Sequence, residues 1–176
     1  KNKLKFPIVI KPNDEGSSIG VKICKTYFSL KRSFNFLKKS YENLIFETFI
    51  PGKEIQVAVI GGRSVGAIEL RPKREFYDYD AKYKKSSKTL HIMPAEVSSK
   101  KYREVLKIAS KAYKTLKCKG VVRCDFRFYK NKFFLLEVNT QPGMTSLSLV
   151  PEIAQHYKIS FTKLVKWMVE DASLNR

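Results

Sequence analysis

Two adjacent segments in the second half of the chain alternate regularly between apolar and polar positions. From Val121 to Tyr129 the even-numbered positions are apolar and three odd-numbered positions are charged. From Phe133 to Asn139 the even-numbered positions are again apolar, and the last two odd positions carry a carboxylate and an amide. Side chains of a β-strand point alternately to opposite faces, so the pattern predicts two strands that each have one buried face. The polar side chains of these strands are Arg123, Asp125, Arg127, Glu137 and Asn139.

The two predicted strands can pair as a hairpin only if their apolar faces coincide, because a slip of one residue moves a whole set of side chains to the other face. This condition requires an odd number of turn residues, and we expect a three-residue turn at Lys130–Lys132. The asparagine at its centre suits the turn because asparagine tolerates a positive φ. The register then places Asp125 opposite Glu137 and Arg123 opposite Asn139.

Two carboxylates and an amide oxygen would therefore meet on one polar face of the hairpin. Like charges that face each other across two strands destabilise a sheet, so Asp125 and Glu137 need a compensating cation. Mg²⁺ is the natural candidate, because it prefers carboxylate and carbonyl oxygens and keeps coordination positions for substrate phosphates. The alternative is a solvated polar face in which Arg123 and Arg127 pair with the carboxylates. The strand pattern alone leaves both interpretations open.

The N-terminal segment suggests a phosphate-binding flap. Phe6–Lys11 predicts an apolar strand that ends in a lysine, and Val21–Cys24 predicts a second strand. The loop between them, PNDEGSSIG, offers backbone N–H groups and the hydroxyls of Ser17 and Ser18 to phosphate oxygens. The loop lacks the GK[ST] ending of a P-loop, and an ordinary turn is the alternative. Lys11 favours the phosphate site, because a charge that closes an apolar strand normally has a partner.

Helical and strand patterns are mixed through the rest of the chain, which indicates an α+β fold. Apolar positions three and four residues apart predict a first helix from Ser29 to Lys39 and a second from a cap at Ser98 or Ser99 to Lys117. Apolar runs bounded by turn residues predict strands, with two glycines at a hairpin turn. The predicted strands are Leu44–Phe49, Glu54–Ile60 and Ser64–Leu70, the glycines are Gly61 and Gly62, and two further helices follow Ser148 and Ser160.

Four polar residues of the middle region are candidates for nucleotide contacts. Glu47 lies between apolar residues of one strand and Glu54 opens the next, so either carboxylate could accept hydrogen bonds from an adenine amino group or from ribose hydroxyls. Solvation of an edge strand explains both carboxylates equally well. The loop Arg71–Leu90 has no periodicity, and long loops of this kind are more often functional than idle. Lys82 and Tyr83, at its centre, are placed to form a lid over a phosphate site.

Composition limits the classes of protein to consider. The chain has 176 residues, 43% of them hydrophobic, which suits one domain or two small lobes. No apolar run is long enough for a membrane span, and no signal peptide is visible. Three cysteines without disulfide or zinc spacing fit a reducing cytoplasm. Because Lys1 stands close to a predicted strand, we expect the chain to be a piece of a longer polypeptide.

The net charge of +19 makes nucleic acid a candidate partner. The lysines are spread over every segment, however, and the aromatic motif of RNA-binding domains is absent. Much of the excess is lysine at solvent positions, and a basic cleft would also attract an anionic substrate such as a nucleotide. We therefore expect neither nucleic acid nor a membrane as a partner.

Five motifs, in their order along the chain, resemble the D-alanine:D-alanine ligases of the ATP-grasp superfamily. They are KPNDEGSSIGV, ETFIPGKEIQVAV, FYDYDAKY, RCDF and LLEVNTQPGMTSLSLVP. The resemblance covers the chain nearly end to end, and it implies antiparallel sheets with packed helices and a nucleotide held between two lobes. Residues 1–48 would form part of a smaller lobe with the phosphate flap. Residues 49–176 would form the larger lobe with the metal and substrate site, and the family's N-terminal domain would precede Lys1.

The resemblance also implies a role for each motif residue. The implied ATP ligands are Lys11, Ser17, Ser18, Glu47, Phe49, Ile50, Glu54 and Lys82. Among them, Glu47 and the backbone near Phe49 and Ile50 would bind adenine, and Glu54 would bind the ribose. The implied ligands of two Mg²⁺ or Mn²⁺ ions are Asp125, Glu137 and Asn139. The implied catalytic groups are Arg123 and the Gly143 N–H, which would stabilise an oxyanion, and the pair of Ser17 and Tyr83 at the lid. The implied substrate ligands are Ser148 and Leu149.

The reaction implied by the resemblance is the ATP-dependent joining of two D-alanines for peptidoglycan precursors, and hence cell wall biogenesis and cell shape, in a bacterial cytoplasm. The γ-phosphoryl group moves to the carboxylate of the first D-alanine, and the amine of the second attacks the acyl phosphate. Catalysis of this kind is chiefly positioning and electrostatics. The full-length protein would be a homodimer. A glutamate and a phosphate-binding lysine of the family would precede Lys1, so we expect the 176 residues to be inactive alone.

Three alternatives follow from the same residues. One is another ATP-grasp ligase such as the D-alanine:D-lactate type, although Tyr83 favours D-alanine as the second substrate. Another is a basic nucleic-acid-binding module, which would be sensitive to salt and indifferent to Asp125, Glu137 and Asn139. The third is a degenerate nucleotide binder without catalysis, which the intact phosphate and metal positions disfavour.

Overall fold

The computed structural model describes residues 4–16, 18–72, 89–145 and 147–173. The chain divides into two compact units: the first comprises the residues up to Ile50 together with Pro72 and Thr89, and the second begins at Pro51. Arg71 and Leu90 both belong to the second unit. Among the described residues, no helix has the length and hydrophobicity that crossing a bilayer requires.

The first unit is a three-stranded antiparallel sheet with one helix. The central strand β1 pairs with β2 on one side and β3 on the other. Helix α1 packs on the sheet through Leu37, which shares a small core with Ile10 and Cys24. The elements are β1 (Ile8–Pro12), β2 (Lys22–Cys24), α1 (Tyr27–Leu37) and β3 (Leu44–Thr48).

Helix α1 begins two residues before the predicted start, because Thr26 caps it. The Ser29 N–H donates to Thr26 Oγ1 at 3.2 Å, and the Thr26 N–H donates to Ser29 Oγ at 3.1 Å. This reciprocal capping box satisfies two of the donors that a helix start leaves unpaired. The sequence pattern missed it because Tyr27 and Phe28 are exposed and do not continue the apolar stripe.

The second unit is built on a five-stranded antiparallel sheet in the order β6-β5-β4-β7-β8. Helix α2 packs on one face, and α3 contacts β4 and β5. The edge strand β6 lies at the end of the segment expected to be a loop, and its three residues are too few to show a period. The elements are β4 (Lys53–Ile60), β5 (Arg63–Arg71), β6 (Leu90–Ile92), α2 (Ser99–Thr115), β7 (Val121–Tyr129), β8 (Lys132–Asn139), α3 (Leu149–His156) and α4 (Phe161–Asp171).

The core of the second unit lies between this sheet and α2. Ile55 and Val57 of β4 are fully buried, as are Val105 and Ala109 of α2. Ser98 caps α2 as predicted, because its side chain accepts the N–H of Lys101 at 3.3 Å. The alternate residues of β4 point away from α2, to the face that carries the candidate site.

The β7–β8 register is confirmed at the predicted polar pairs, although the predicted turn is wrong. Asp125 lies opposite Glu137, and Arg123 lies opposite Asn139. The turn has two residues, not three, and both have positive φ, as a tight hairpin turn requires. They are Lys130 (φ 45°) and Asn131 (φ 62°).

A bulge reconciles the shorter turn with the predicted register. Beyond Asp125 the pairing shifts, so that Phe126 lies opposite Leu135 and Leu136 is the extra residue. Near the turn the shift brings Phe133, rather than the expected Phe134, against the core. A bulge adds one residue to one strand. Together with the two-residue turn, it therefore gives the same pairing beyond the bulge as the predicted three-residue turn.

Candidate functional site

The polar patch on β7 and β8 contains one guanidinium and two carboxylates. Arg123 donates to both carboxylate oxygens of Asp125, through Nε to Oδ1 at 2.7 Å and through Nη2 to Oδ2 at 2.9 Å. The second carboxylate, on Glu137, is 3.8 Å from Arg123 Nη2, and its side chain is 54% exposed. Glu137 is therefore held less tightly than Asp125, and its exposed carboxylate is accessible to a cation from solvent.

The third predicted metal ligand, Asn139, ends β8 beside this patch. Its side-chain oxygen accepts the N–H of Gln141 at 3.0 Å, which fixes the orientation of the amide. The donor set of two carboxylate oxygens and an amide oxygen fits Mg²⁺. Among the described residues, no group of three His, Cys, Asp or Glu side chains could hold a metal. The predicted set contains only two of these, so most coordination positions would be left to phosphate and water.

A second ion pair lies on the same face, one step along the strands. Glu54 of β4 is directly opposite Arg127 of β7, and Glu54 Oε2 is 3.0 Å from Arg127 Nη2. Arg127 also donates through Nη1 to the Gly52 carbonyl at 3.1 Å. Both side chains are largely buried, so Arg127 holds the Glu54 carboxylate in one orientation. The sequence interpretation treated Arg127 only as a general salt-bridge partner and missed this pairing.

Gln56 completes the polar face and was also missed. It lies between Glu54 and Ala58 on the same face of β4, directly opposite Asp125. Its side chain is 1% exposed, and its Oε1 has no hydrogen-bond partner among the described residues. The available signal was a glutamine in the otherwise apolar run IQVAVI. A buried acceptor without a donor costs free energy, so this position is not optimised for stability.

The loop after β8 leads into the N-terminus of α3. A Cβ atom on Gly143 would lie 2.8 Å from Ser148 Oγ, so only glycine lets the loop approach Ser148 this closely. Ser148 occupies the N-cap position of α3, but its side chain makes no capping hydrogen bond. Its Oγ instead accepts the N–H of Thr145 at 2.9 Å. Leu149, the first residue of the helix, is buried.

The first unit brings together two other predicted site residues. Lys11 Nζ is 2.9 Å from Glu47 Oε1, and the two side chains are 22% and 36% exposed. The Phe49 N–H donates to the Pro7 carbonyl at 3.0 Å, so a ligand would meet the carbonyl side of this backbone. Ser18 has a positive φ of 63° in the turn that the predicted flap occupies.

The structure therefore groups the predicted residues within each unit. In the second unit, one sheet face carries five of them, and the loop and α3 carry three more. Ser17, Lys82 and Tyr83 lie outside the described residues. The predicted residues on that sheet face are Glu54, Arg123, Asp125, Glu137 and Asn139, and those of the loop and helix are Gly143, Ser148 and Leu149.

Solved structures with this fold define its class as ATP-grasp. Two crystal structures of D-alanine--D-alanine ligase from Bacillus anthracis, one of them complexed with ATP, both match with a TM-score of 0.80. The structure complexed with ATP is 29% identical in sequence, and the match covers 94% of this chain and 52% of that chain. The α+β fold of antiparallel sheets and packed helices expected from the resemblance is confirmed.

Sequence comparison identifies the family within this class. A family model described as D-ala D-ala ligase C-terminus matches residues 1–170, and the chain belongs to this family. A relative from Pelagibacter ubique, named D-alanine--D-alanine ligase, is 54% identical over all of this chain and 57% of its own length. A relative of the same name from Xanthobacter autotrophicus is 44% identical over 97% of this chain and 58% of its own length. The chain thus spans just over half the length of these curated relatives.

Proposed function

We propose that this chain is the ATP-grasp portion of an ADP-forming D-alanine:D-alanine ligase, which joins two D-alanines through an acyl phosphate. The observation that carries the proposal is the pairing of Asp125 with Glu137 beside Arg123, because it places two carboxylates opposite each other on a fixed sheet face, with Glu137 exposed. Family membership supports the same reaction. Synthesis of the dipeptide for peptidoglycan, a cytoplasmic location and a homodimeric full-length protein are parts of this proposal.

The ATP contacts would come from both units. In the first unit, the Lys11 ammonium would bind phosphate oxygens, and its contact with Glu47 keeps it close to the proposed adenine acceptor. The other ATP ligands in this unit would be Ser18, Phe49 and Ile50. In the second unit, Glu54 would accept the ribose hydroxyls, with its carboxylate oriented by Arg127. Ser17, Lys82 and Tyr83 keep the phosphate and lid roles that the resemblance implies.

Asp125, Glu137 and Asn139 would hold two Mg²⁺ or Mn²⁺ ions. Bound metal would supply positive charge that stabilises the phosphoryl group during transfer. The protein contributes a rigid support for these oxygens, because β7 is an inner strand and Arg123 already fixes Asp125 at two points. Residues 1–48 would belong to the smaller lobe that the resemblance implies and residues 49–176 to the larger one, a boundary two residues before the end of the first unit at Ile50.

Arg123 and the loop after β8 would stabilise the acyl-transfer step. The Gly143 N–H and the Arg123 guanidinium would donate to the oxyanion that forms when the amine attacks the acyl phosphate. The carboxylate of the second D-alanine would bind at Ser148 and Leu149, at the start of α3. The first N–H groups of a helix have no partner within the helix and favour an anion. The missing cap bond of Ser148 supports this role, since its side chain does not occupy those donors.

The test is turnover in a chimaera in which this chain replaces the matching 57% of the Pelagibacter ubique relative. We expect ADP release that depends on D-alanine and on Mg²⁺. Glu137→Gln should lower kcat by about a hundredfold or more, because a lost metal ligand removes several kcal/mol of transition-state stabilisation. The matched control is Glu104→Gln, which removes the same charge from the surface pair with Lys101.

Two results would contradict the proposal. One is ADP release that does not depend on D-alanine, and the other is full activity in the Glu137→Gln chimaera. A parallel assay with D-lactate beside D-alanine identifies the second substrate. Preference for D-lactate would favour the ester-forming relative of this enzyme, which is the second candidate.

A further inference from the structure

The second unit contains a groove that lies apart from the candidate site. Its volume is about 520 Å³, and it is formed by the β4–β5 turn and the C-terminal half of α2. Gly61 and Gly62 form that turn with φ values of 55° and 80°, so β5 begins at Arg63, which lines the groove. The candidate site lies on the opposite face of this sheet, because its residues on β4 and β7 alternate with those that pack against α2.

Hydrogen bonds between β5 and α2 hold the floor of the groove. The Ser64 N–H donates to Ser110 Oγ at 3.1 Å, and the two hydroxyl oxygens are 2.8 Å apart. Ser64 Oγ also donates to the Leu106 carbonyl at 2.7 Å. These bonds fix the strand and the helix relative to each other, so the groove is pre-formed.

Four cations line this groove. They are Arg63 at the start of β5 and Lys107, Lys111 and Lys114 on the exposed side of α2. Within the described part of the chain, none of the four forms an ion pair. The single acidic residue of α2, Glu104, is 2.8 Å from Lys101 instead.

The groove therefore carries a local excess of positive charge. The C-terminus of α2 contributes only about half a negative charge, against four full positive charges. Lys107, Lys111 and Lys114 are four and three residues apart, so they follow one side of the helix over about 10 Å. Such a row suits several anionic groups linked at short spacing. Focused positive potential in a concave site raises the local concentration of anions.

We propose that this groove binds a compact oligophosphate anion. A groove of this volume is within the range of small-molecule sites and too small for a folded partner. No aromatic side chain lines it, so it offers no surface on which a nucleic acid base could stack. Recognition would rest on charge, so the groove would contact the linked phosphate groups of the ligand and not a base or a sugar.

The test uses sodium tripolyphosphate as the probe and amide NMR shifts of the 176-residue chain as the readout. We expect saturable shifts at Ser64 and along residues 106–115. Shifts at Lys11 report the candidate nucleotide site separately, so binding there does not count. Titration with orthophosphate at the same ionic strength should require at least about tenfold more ligand, because affinity rises with the number of phosphates neutralised.

A matched pair of variants separates the groove from the net charge. The groove variant combines Lys107→Gln, Lys111→Gln and Lys114→Gln, and the control combines Lys158→Gln, Lys163→Gln and Lys166→Gln. Both remove three exposed charges, and glutamine keeps the helix propensity of lysine at the five positions that lie in helices, while Lys158 lies after α3 with a φ of 64°. We expect the groove variant to weaken tripolyphosphate binding at least tenfold and the control less than twofold.

Equal weakening in both variants would overturn the proposal, because the net charge alone would then explain binding. Absence of shifts at the groove amides would also overturn it. If a single-stranded oligonucleotide shifts the same amides at a lower concentration than tripolyphosphate, the groove binds a polymer and the proposal of a compact ligand is wrong. Circular dichroism melting of each variant ensures that folded proteins are compared.

Discussion

Two clusters of carboxylates lie on the same five-stranded sheet, and they differ in how completely they are neutralised. The first surrounds Glu69 of β5, whose side chain is 2% exposed. Its Oε2 accepts Lys53 Nζ at 2.8 Å and the Glu96 N–H at 3.2 Å, and its Oε1 accepts Arg71 Nη2 at 2.7 Å. Arg71 also pairs with the Glu96 carboxylate at 2.9 Å. The two cations, Lys53 and Arg71, therefore balance the charge of the two carboxylates, Glu69 and Glu96.

The second cluster is the proposed metal site. Asp125 is held by two nitrogens of Arg123, Nε and Nη2, whereas Glu137 is 3.8 Å from the same guanidinium and more than half exposed. We call the first cluster closed because Glu69 is buried between two cations, and the second open because Glu137 is exposed and 3.8 Å from Arg123 Nη2. The difference teaches that a buried carboxylate held by two cations indicates a structural ion network, while an exposed carboxylate held at a longer distance leaves capacity for a ligand.

Removing one cation from the closed cluster should have the largest effect on stability. Lys53→Met leaves Glu69 buried with Arg71 as its remaining cation, and we expect the free energy of unfolding to fall by about 3 kcal/mol. Lys166→Met is the control, because its pair with Glu170 is 3.8 Å long and exposed, and surface pairs contribute under about 1 kcal/mol. Denaturant unfolding measures both. Equal losses would mean that the Glu69 network is no more than a surface contact.

Acid should weaken the same cluster. Burial acts to raise the pKa of Glu69, but hydrogen bonds and charges from Lys53 and Arg71 outweigh it, so the pKa is lowered from its ordinary value of 4.5. A lowered pKa in the folded state stabilises the protein above the unfolded-state value, and this contribution is lost as the pH falls through the folded-state pKa. Unfolding measured from pH 7 to pH 3 should therefore show a steeper loss below about pH 4.5 than in Glu69→Gln. Parallel profiles would contradict this assignment.

The strand alternation was sufficient to predict the proposed metal face but not the path of the chain around it. Because side chains alternate with a period of two, matching the apolar faces required an odd number of turn residues, and the choice of three placed Asp125 opposite Glu137, the pair observed. Parity does not distinguish a three-residue turn from a two-residue turn with a bulge. For that reason the inward position of Phe133 was not predictable.

The closed cluster around Glu69 could not be predicted from local sequence. Its members come from β4, β5 and the segment after β6, and only tertiary structure brings them together. Glu69 follows an apolar run and has the same sequence appearance as an exposed strand residue. The capping residue Ser98, by contrast, was predictable, because a cap and the helix that it starts are adjacent in sequence.

A smaller gain in stability is expected at Gln56, which lies between the ion pairs of the open face. Its buried Oε1 has no donor among the described residues, so Gln56→Met should raise the free energy of unfolding by about 1 kcal/mol. Gln141→Met, at an exposed position, is the control and should change it by less than about 0.5 kcal/mol. Destabilisation by Gln56→Met would show that an internal water or another donor satisfies the amide.

The smallest change in stability is expected at the open cluster itself. Glu137→Gln removes a carboxylate that faces Asp125, and the lost repulsion slightly exceeds the lost attraction to Arg123 at 3.8 Å. We therefore expect the free energy of unfolding to rise by about 0.5 kcal/mol or less. Mn²⁺ binding in the presence of ATP, followed by electron paramagnetic resonance, should weaken at least about tenfold in the same variant, since a charged ligand is lost. A large loss of stability with unchanged Mn²⁺ binding would make Glu137 a structural residue like Glu69, and the contrast between the two clusters would fail.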